Sequence, residues 1–133
     1  MKPVFADSSC YVALMSSKDA GHSAALEWSR TCTGPLLSTE FVLLEVANGF
    51  CAAARRAAFG TLLNDLQADP LAIILAASTD LFRDGVELYV RRPDKDWSLT
   101  DCISFIVMKE HGVTEALTTD HHFEQAGFKA LLK

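Results

Sequence analysis

The stretch Trp97-Ser98-Leu99-Thr100-Asp101-Cys102-Ile103-Ser104-Phe105 is the one around which the chain is organised. Ser98 is a favourable N-cap, and the S-x-x-D spacing from Ser98 to Asp101 is typical of a capping box at the start of a helix. The residues that follow are mostly apolar, so this stretch predicts a largely buried helix with a carboxylate on its first turn. Capping alone explains such an aspartate, and a functional role therefore needs further acids nearby.

Three other acids stand beside equally apolar sequence, far apart along the chain. They are Asp7 after Val4-Phe5-Ala6, Glu45 within Leu43-Leu44-Glu45-Val46, and Asp120 after Ala116-Leu117-Thr118-Thr119. Asp7 and Asp120 can each be explained as helix caps. Glu45 is harder to explain, because an unpaired buried carboxylate costs several kcal/mol and no cation lies within reach on its predicted helix. We therefore expect Glu45 to face a polar cleft, and the four acids to converge in one acidic pocket.

Short apolar strands alternate with helical segments along the chain. The predicted strands are 2–6, 36–38, 71–75, 115–118 and about 128–132; the predicted helices are about 11–14, 20–30, 40–56, 57–67, 78–91, a helix from 98 and a short one after 120. Apolar strands separated by helices predict an α/β fold with a mostly parallel central sheet and helices on both faces. At 133 residues we expect a single domain, 1–133.

The same pattern predicts where a site lies. Ligands of open parallel sheets bind outside the carboxyl ends of the strands. Asp7 and Asp120 each follow a predicted strand, and the predicted helix of Glu45 directly follows another, so all three are expected at one edge of the sheet.

Charge and hydropathy exclude some classes of protein. A net charge of −5 argues against a domain that coats nucleic acid through many phosphate contacts. It does not exclude a metal-dependent enzyme acting on phosphodiesters, because bound cations reverse the sign of an acidic site. No apolar run reaches the roughly 18 residues that span a bilayer, and the first residues lack the features of a signal peptide, so no membrane association is expected.

The four cysteines are scattered, without a C-x-x-C pair or a histidine at zinc spacing: Cys10, Cys32, Cys51 and Cys102. Three of them, Cys10, Cys51 and Cys102, fall in predicted helices among apolar neighbours. We therefore expect buried free thiols and a reducing cytoplasmic location.

The donor types in the predicted pocket indicate its chemistry. Carboxylate oxygens without paired histidine or cysteine suit Mg²⁺ or Mn²⁺ rather than zinc, and four clustered acids repel one another unless cations bind. Two such ions roughly 4 Å apart can activate a water and stabilise the leaving oxygen of a phosphoryl displacement. The chain offers no Gly-rich phosphate loop, Ser-His-Asp order or G-x-S-x-G elbow that would indicate another chemistry.

Four segments together resemble a PIN domain, and most closely the small ribonucleases of VapC-type toxin–antitoxin systems: Asp7-Ser8-Ser9, Thr39 to Glu45, Ser98 to Cys102, and Leu117 to Phe123. The resemblance implies a Mg²⁺- or Mn²⁺-dependent endoribonuclease, a hydrolase acting on single-stranded or loop RNA. It also implies a homodimer inhibited by a cognate antitoxin that inserts a segment into the active-site groove. Its catalytic quartet would be Asp7, Glu45, Asp101 and Asp120, with Asp7 and Asp101 as direct metal ligands. The hydroxyls of Ser9 and Thr100 match positions that could steady these carboxylates.

Other functions remain open at this point. A PIN-type nuclease of RNA maturation without a toxin role has the same sequence features. A phosphatase of the haloacid-dehalogenase kind also has an aspartate after its first strand, but Ser9 stands where its second aspartate is required, and a receiver domain lacks its acid cluster and lysine here. A non-enzymatic binding module predicts that the four acids lie apart or are neutralised by arginines.

Further polar and aromatic residues allow two readings each. His121 and His122 adjoin Asp120 and are expected in surface or capping roles, with metal or RNA binding as the alternative. Trp97 either covers the core or stacks on a base. Five basic residues are solvated surface or, if RNA binds, phosphate contacts: Arg55, Arg56, Arg91, Arg92 and Lys95.

Overall fold

The computed structural model describes residues 2–133; Met1, the first residue of the predicted domain, lies outside the described residues. Five strands occur in this range: β1 (Val4–Ala6), β2 (Leu36–Thr39), β3 (Ala72–Leu75), β4 (Glu115–Leu117) and β5 (Lys129–Ala130). They form one sheet in the order β3-β2-β1-β4-β5, and every neighbouring pair is parallel.

Helices connect the strands, and those in residues 2–133 are α1 (Ser8–Met15), α2 (His22–Thr31), α3 (Glu40–Gly49), α4 (Arg56–Ala68), α5 (Thr79–Arg91), α6 (Leu99–Glu110) and α7 (His121–Gln125). None of these helices has both the length and the apolar character needed to cross a membrane. The prediction of an α/β fold with a parallel central sheet and flanking helices is confirmed.

The centre of the sheet is the most buried part of the molecule. Phe5 and Ala6 of β1 and Ala116 of β4 are fully buried, because these strands have neighbours on both sides and helices over them. The edge strand β3 is less covered, and Ile73 is 44% exposed. Apolar sequence alone did not distinguish the central strands from this edge.

The helix predicted from Glu40 to about Arg56 is shorter in the structure. Thr39 caps its start as predicted, accepting a hydrogen bond from the Val42 N–H, but α3 ends at Gly49. Phe50 leaves helical geometry, with φ −120° and ψ 31°, and its side chain is buried in the core. The weak helix former at Gly49 together with the burial of Phe50 ends the helix there.

This early end changes the environment of Cys51. The thiol was predicted to be buried within a helix, and it is instead exposed in the turn between α3 and α4. Cys10 and Cys102 are buried as predicted, and Cys32 is partly buried. All four cysteines are free.

Helix α6 is held close to α5 by a small residue. A Cβ atom at Gly85 would lie 2.3 Å from Cγ1 of Ile103, so the two helices pack this closely only with glycine at that position. Trp97, just before α6, is buried against Phe105 in an edge-to-face contact with ring centroids 5.0 Å apart. These contacts fix the start of α6, which carries Asp101.

Candidate active site

Three neighbouring strands, β2, β1 and β4, bring the predicted site to one edge of the sheet. Asp7 directly follows β1, and its backbone N–H donates to the carbonyl of Leu117 at the end of β4. Helix α3, with Glu45, directly follows β2, and Asp120 lies three residues after β4. The parallel register therefore gathers segments that are remote in the sequence.

Asp7 occupies the N-cap position of α1, but its side chain makes no capping hydrogen bond. The carboxylate is 3% exposed, and Oδ2 accepts hydrogen bonds from the hydroxyls of Thr118, at 2.9 Å, and Ser9, at 3.3 Å. The helix-cap interpretation of this side chain is therefore wrong, whereas Ser9 contacts the carboxylate as expected. A buried carboxylate held by two hydroxyls is available to bind a cation.

Thr118 is a functional candidate that the sequence did not single out. Its side chain is fully buried, donates to Asp7 and accepts from the Asp120 N–H at 3.0 Å. It thus links the segment after β1 to the segment after β4. The sequence shows a hydroxyl residue at the end of an apolar strand. That this hydroxyl contacts Asp7 could not be inferred without knowing that β1 and β4 are neighbours.

Asp101 is both a cap and a site residue. Ser98 and Asp101 form the predicted capping box, with the Asp101 N–H donating to Ser98 Oγ at 3.0 Å and the Ser98 N–H donating to Asp101 Oδ2 at 3.2 Å. Asp101 as a whole residue is 6% exposed, and its Oδ2 also lies 3.2 Å from Nδ1 of His122. Because both contacts use Oδ2, the other oxygen has no hydrogen-bond partner within residues 2–133.

Asp120 caps α7, accepting from the His122 N–H at 2.9 Å, as the capping interpretation predicted. Its Oδ1 also lies 3.3 Å from Nδ1 of His122 and 3.6 Å from Nδ1 of His121. The side chain is 32% exposed, so it stands at the open side of the site. His122 therefore lies between Asp101 and Asp120, a position that the sequence did not predict.

Glu45 differs from its expected environment. Its side chain is exposed, so the argument from the cost of a buried carboxylate does not apply. Glu45 faces outward from α3 because the core-facing positions on either side of it are Val42, Leu43 and Val46. It is nevertheless at the site, because Oε1 accepts a hydrogen bond of 2.5 Å from Ser8, the residue after Asp7.

Electrostatics connect the four acids. The pKa of Asp7 is raised to about 6: burial is the largest cause, the negative charges of Asp101 and Glu45 act in the same direction, and hydrogen bonds from the Ser8 backbone and Thr118 oppose them. Burial also raises the pKa of Asp101, with a further upward contribution from Asp120, against hydrogen bonds from Ser98 and His122. Each acid thus lies within electrostatic range of at least one other, in an arrangement that favours a bound cation.

Other candidate residues lie outside this group. The Thr100 hydroxyl makes no hydrogen bond to the four acids within residues 2–133, because the Asp101 carboxylate turns back to Ser98 instead. Trp97 is buried and donates from Nε1 to Gln125, so the core interpretation is confirmed. Arg91 pairs with Glu87, and Arg92 pairs with Asp94 while lying over the Trp97 ring.

Arg55 lies over the Phe50 ring, and Arg56 donates to the backbone carbonyl of Cys51. None of the four acids forms an ion pair with an arginine or lysine within residues 2–133. The acids are therefore close together and lack neutralising basic side chains, against the prediction of a binding module with scattered or paired acids.

Comparisons with known proteins agree with this architecture. The chain is 28% identical over 131 residues to the 23S rRNA-specific endonuclease VapC20 of Mycobacterium tuberculosis, in strains CDC 1551 / Oshkosh and ATCC 25618 / H37Rv, covering 94% of this chain and 95% of the relative. A crystal structure of M. tuberculosis VapC20, described as a Sarcin-Ricin loop cleaving toxin, has the same fold, with a TM-score of 0.84 at 24% identity over 94% of this chain and 95% of that one.

The family model of the PIN domain matches residues 4–129, nearly the whole of the described chain. This range includes all four acids and every strand of the sheet up to the start of β5. The resemblance inferred from the four sequence segments is thereby confirmed, and the chain belongs to the PIN domain family.

Proposed function

We propose that this protein is a Mg²⁺- or Mn²⁺-dependent endoribonuclease, the toxin of a toxin–antitoxin pair. The observation that carries the proposal is Asp7, whose buried carboxylate makes no helix-capping hydrogen bond and has a pKa raised to about 6. A carboxylate kept where burial disfavours its ionised form is a candidate for a functional role. Membership of the PIN family and the similarity to a 23S rRNA-specific endonuclease give the reaction class.

The donor set fits a hard divalent cation. Asp7 and Asp101 would hold the ion, because both carboxylates are buried, the charge of Asp101 acts on Asp7, and neither has an arginine or lysine partner in the described chain. A divalent ion bound there supplies Lewis-acid stabilisation of phosphate charge and lowers the pKa of water. The hydroxyls of Ser9 and Thr118 keep the Asp7 carboxylate oriented toward it.

The outer acids have different roles in this proposal. Glu45 is exposed beside Ser8, from which it accepts a hydrogen bond, and there it would orient the water that attacks the phosphodiester. Asp120 lies at the open side of the site. Its position is fixed by the hydrogen bond that its side chain accepts from the His122 N–H and by the one that its own N–H donates to Thr118. The residues of the quartet thus bind the ion from the inner side and orient water from the outer side.

The proposed substrate is loop RNA, and the sarcin–ricin loop of 23S rRNA is the first target to test because a similar protein is described as cleaving it. Free cysteines support a reducing cytoplasmic location. Exposed apolar side chains support homodimer formation and antitoxin binding: Leu44, Phe82, Tyr89 and Val90. An apolar cavity of about 540 Å³, lined by residues of α1, α2 and α4, offers further surface for an antitoxin segment.

The activity test uses antitoxin-free protein and a hairpin RNA that contains the sarcin–ricin loop. Cleavage is followed with Mg²⁺, with Mn²⁺ and with EDTA, for wild type and for Asp7→Asn and Asp101→Asn. Asp84→Asn, an exposed aspartate on α5, is the matched control. We expect metal-dependent cleavage by wild type and the control, and cleavage reduced on the order of 10²-fold or more in the two site variants, with all four proteins folded by circular dichroism.

The nuclease proposal fails if wild type leaves the RNA intact with both metals, or if both site variants cleave as well as wild type. The toxin role is tested separately, by induced expression in a bacterial host. Growth arrest by wild type but not by Asp7→Asn supports a toxin. Robust cleavage in vitro without growth arrest supports the RNA-processing nuclease instead.

A further inference from the structure

Within residues 2–133, His121 and His122 bring side-chain nitrogen ligands to the acidic site. Ligand atoms of Asp120, His121 and His122 all lie within 4.8 Å of one another. His122 is the inner of the two, with a side chain that is 19% exposed against 63% for His121. Only His122 also approaches Asp101, one of the two proposed metal ligands.

The contacts of His122 Nδ1 are longer than those of His22 and His111, and they are divided between two carboxylates. Its Nδ1 lies 3.2 Å from Asp101 Oδ2 and 3.3 Å from Asp120 Oδ1. Charge-assisted N–H···O bonds measure about 2.7 to 2.9 Å, and a single N–H can be directed well at only one acceptor. By comparison, Nδ1 of His22 and of His111 each contact one backbone carbonyl, at 2.6 and 2.9 Å.

The same distances match the spacing of ligands around a metal ion. In an octahedral site with metal–ligand distances of about 2.1 Å, neighbouring ligand atoms lie about 3.0 Å apart. Nδ1 of His122 is at close to that distance from one oxygen of each neighbouring carboxylate. The three atoms therefore stand as adjacent ligands of one ion with little rearrangement.

We propose that His122 Nδ1 is a ligand of the active-site ion and gives the site a preference for Mn²⁺, or a similar first-row transition ion, over Mg²⁺. This inference rests on the proposed metal-dependent function and names the metal that the site takes. Imidazole nitrogen suits transition ions, whereas Mg²⁺ prefers oxygen ligands and keeps several waters. It favours the metal-binding alternative for His122 over the surface or capping role expected from the sequence.

The fold supplies the support that such a ligand needs. The backbone N–H of His122 donates to Asp120 at 2.9 Å, which fixes the first turn of α7. The next residue, Phe123, is fully buried against Phe5 and Phe105, so α7 is anchored in the core. A ligand on an anchored helix turn is held in position before the ion binds.

The test measures metal binding rather than RNA cleavage. Wild-type protein, His122→Asn and His111→Asn are titrated with Mn²⁺ and with Mg²⁺ by isothermal calorimetry. Asparagine keeps a polar donor near the place of Nδ1, and His111, at the end of α6, is the matched remote histidine. We expect His122→Asn to weaken Mn²⁺ binding about tenfold or more and Mg²⁺ binding by less than about threefold, with no change in His111→Asn.

A spectroscopic readout on wild type alone keeps the inference falsifiable if the variant folds poorly. Pulsed electron paramagnetic resonance of bound Mn²⁺ is expected to show nitrogen coupling from one imidazole. Absence of that coupling, or an equal loss of Mn²⁺ and Mg²⁺ affinity in folded His122→Asn, overturns the role of His122. Absence of binding of either metal to wild type would overturn the metal-dependent function as well.

Discussion

The four acids of the site form an inner pair and an outer pair with opposite surroundings. Asp7 and Asp101 are 3% and 6% exposed, and burial raises the pKa of both. The Asp120 side chain is 32% exposed, and Glu45 is exposed. In sequence all four are simply acids beside apolar residues, so the difference arises entirely from which strands and helices surround each side chain.

This difference separates two kinds of contribution. A buried carboxylate with a raised pKa destabilises the metal-free fold near neutral pH, because its ionised form is poorly solvated. An exposed carboxylate costs little and can respond to water and substrate. We therefore expect the inner pair to lower the stability of the metal-free fold while it provides the ion-binding groups. We expect the outer pair to affect activity with little effect on stability.

The largest expected effect comes from Asp7→Asn. Cleavage should fall on the order of 10² to 10³-fold, because the proposed metal ligand and its charge are lost. The metal-free protein should at the same time become more stable at pH 8 by roughly 2 to 3 kcal/mol, which is the cost of keeping a carboxylate with a pKa of about 6 ionised. Urea unfolding with EDTA measures this, and Asp84→Asn should change neither quantity. A variant that is less stable than wild type would contradict the account of the inner pair.

The pH dependence of stability tests the same acid without relying on activity. The pKa of Asp7 is higher in the folded than in the unfolded chain, so the folded state binds its proton more tightly. The contribution of Asp7 to stability is therefore fully present below about pH 4 and is lost as the pH rises through about 6. The difference between wild type and Asp7→Asn should grow by roughly 2 to 3 kcal/mol between pH 4 and pH 8.

A difference that is flat across this pH range would show that Asp7 has an ordinary pKa. In the same range, metal binding should weaken as the pH falls through about 6, because the ion and the proton compete for the Asp7 carboxylate. Calorimetric titration with Mg²⁺ at pH 5 and pH 7.5 measures that competition.

A smaller effect is expected from Thr118→Val, which keeps the shape of the side chain but removes its hydroxyl. Asp7 loses a 2.9 Å hydrogen bond and the Asp120 N–H loses its acceptor, so stability at pH 8 should fall by about 1 to 3 kcal/mol. Thr119→Val is the matched control, because that exposed side chain makes no hydrogen bond to the acids within residues 2–133. Equal stability of both variants by urea unfolding would remove Thr118 from the site.

The smallest effect is expected from Glu45→Gln on the outer side. Its carboxylate accepts from Ser8 and is exposed, so stability should stay within about 0.5 kcal/mol of wild type. Cleavage should fall about tenfold, as is typical for groups that orient the ligands or water of a metal site. Glu110→Gln, an exposed acid at the end of α6, should leave the cleavage rate unchanged. A stability gain like that of Asp7→Asn would mean that Glu45 belongs to the inner pair.

Much of the site could be predicted because the sequence patterns that indicate it involve residues close together in the chain. The capping box of Ser98 and Asp101, the Thr39 cap of α3 and the position of Asp7 after an apolar strand each depend on residues at most three apart. Hydrogen bonds over such distances form in the same way wherever the helix packs. The main error in secondary structure was the end of α3, which was predicted too far along the chain. Glycine alone does not reliably end a helix, and here the burial of Phe50 in the core is also needed.

The order of strands and helices and the parallel α/β class could be predicted from the sequence, and four candidate acids could be named, because periodicity and capping act within one or two turns of chain. Which acids are buried became clear from the three-dimensional fold alone, since exposure depends on neighbours distant in sequence. The contact between Asp7 and Thr118 joins residues 111 apart, and that between Asp101 and His122 joins residues 21 apart. Both contacts depend on the strand order β2-β1-β4 and on the position of α6 against α5. Packing between distant parts of the chain sets that order and that position.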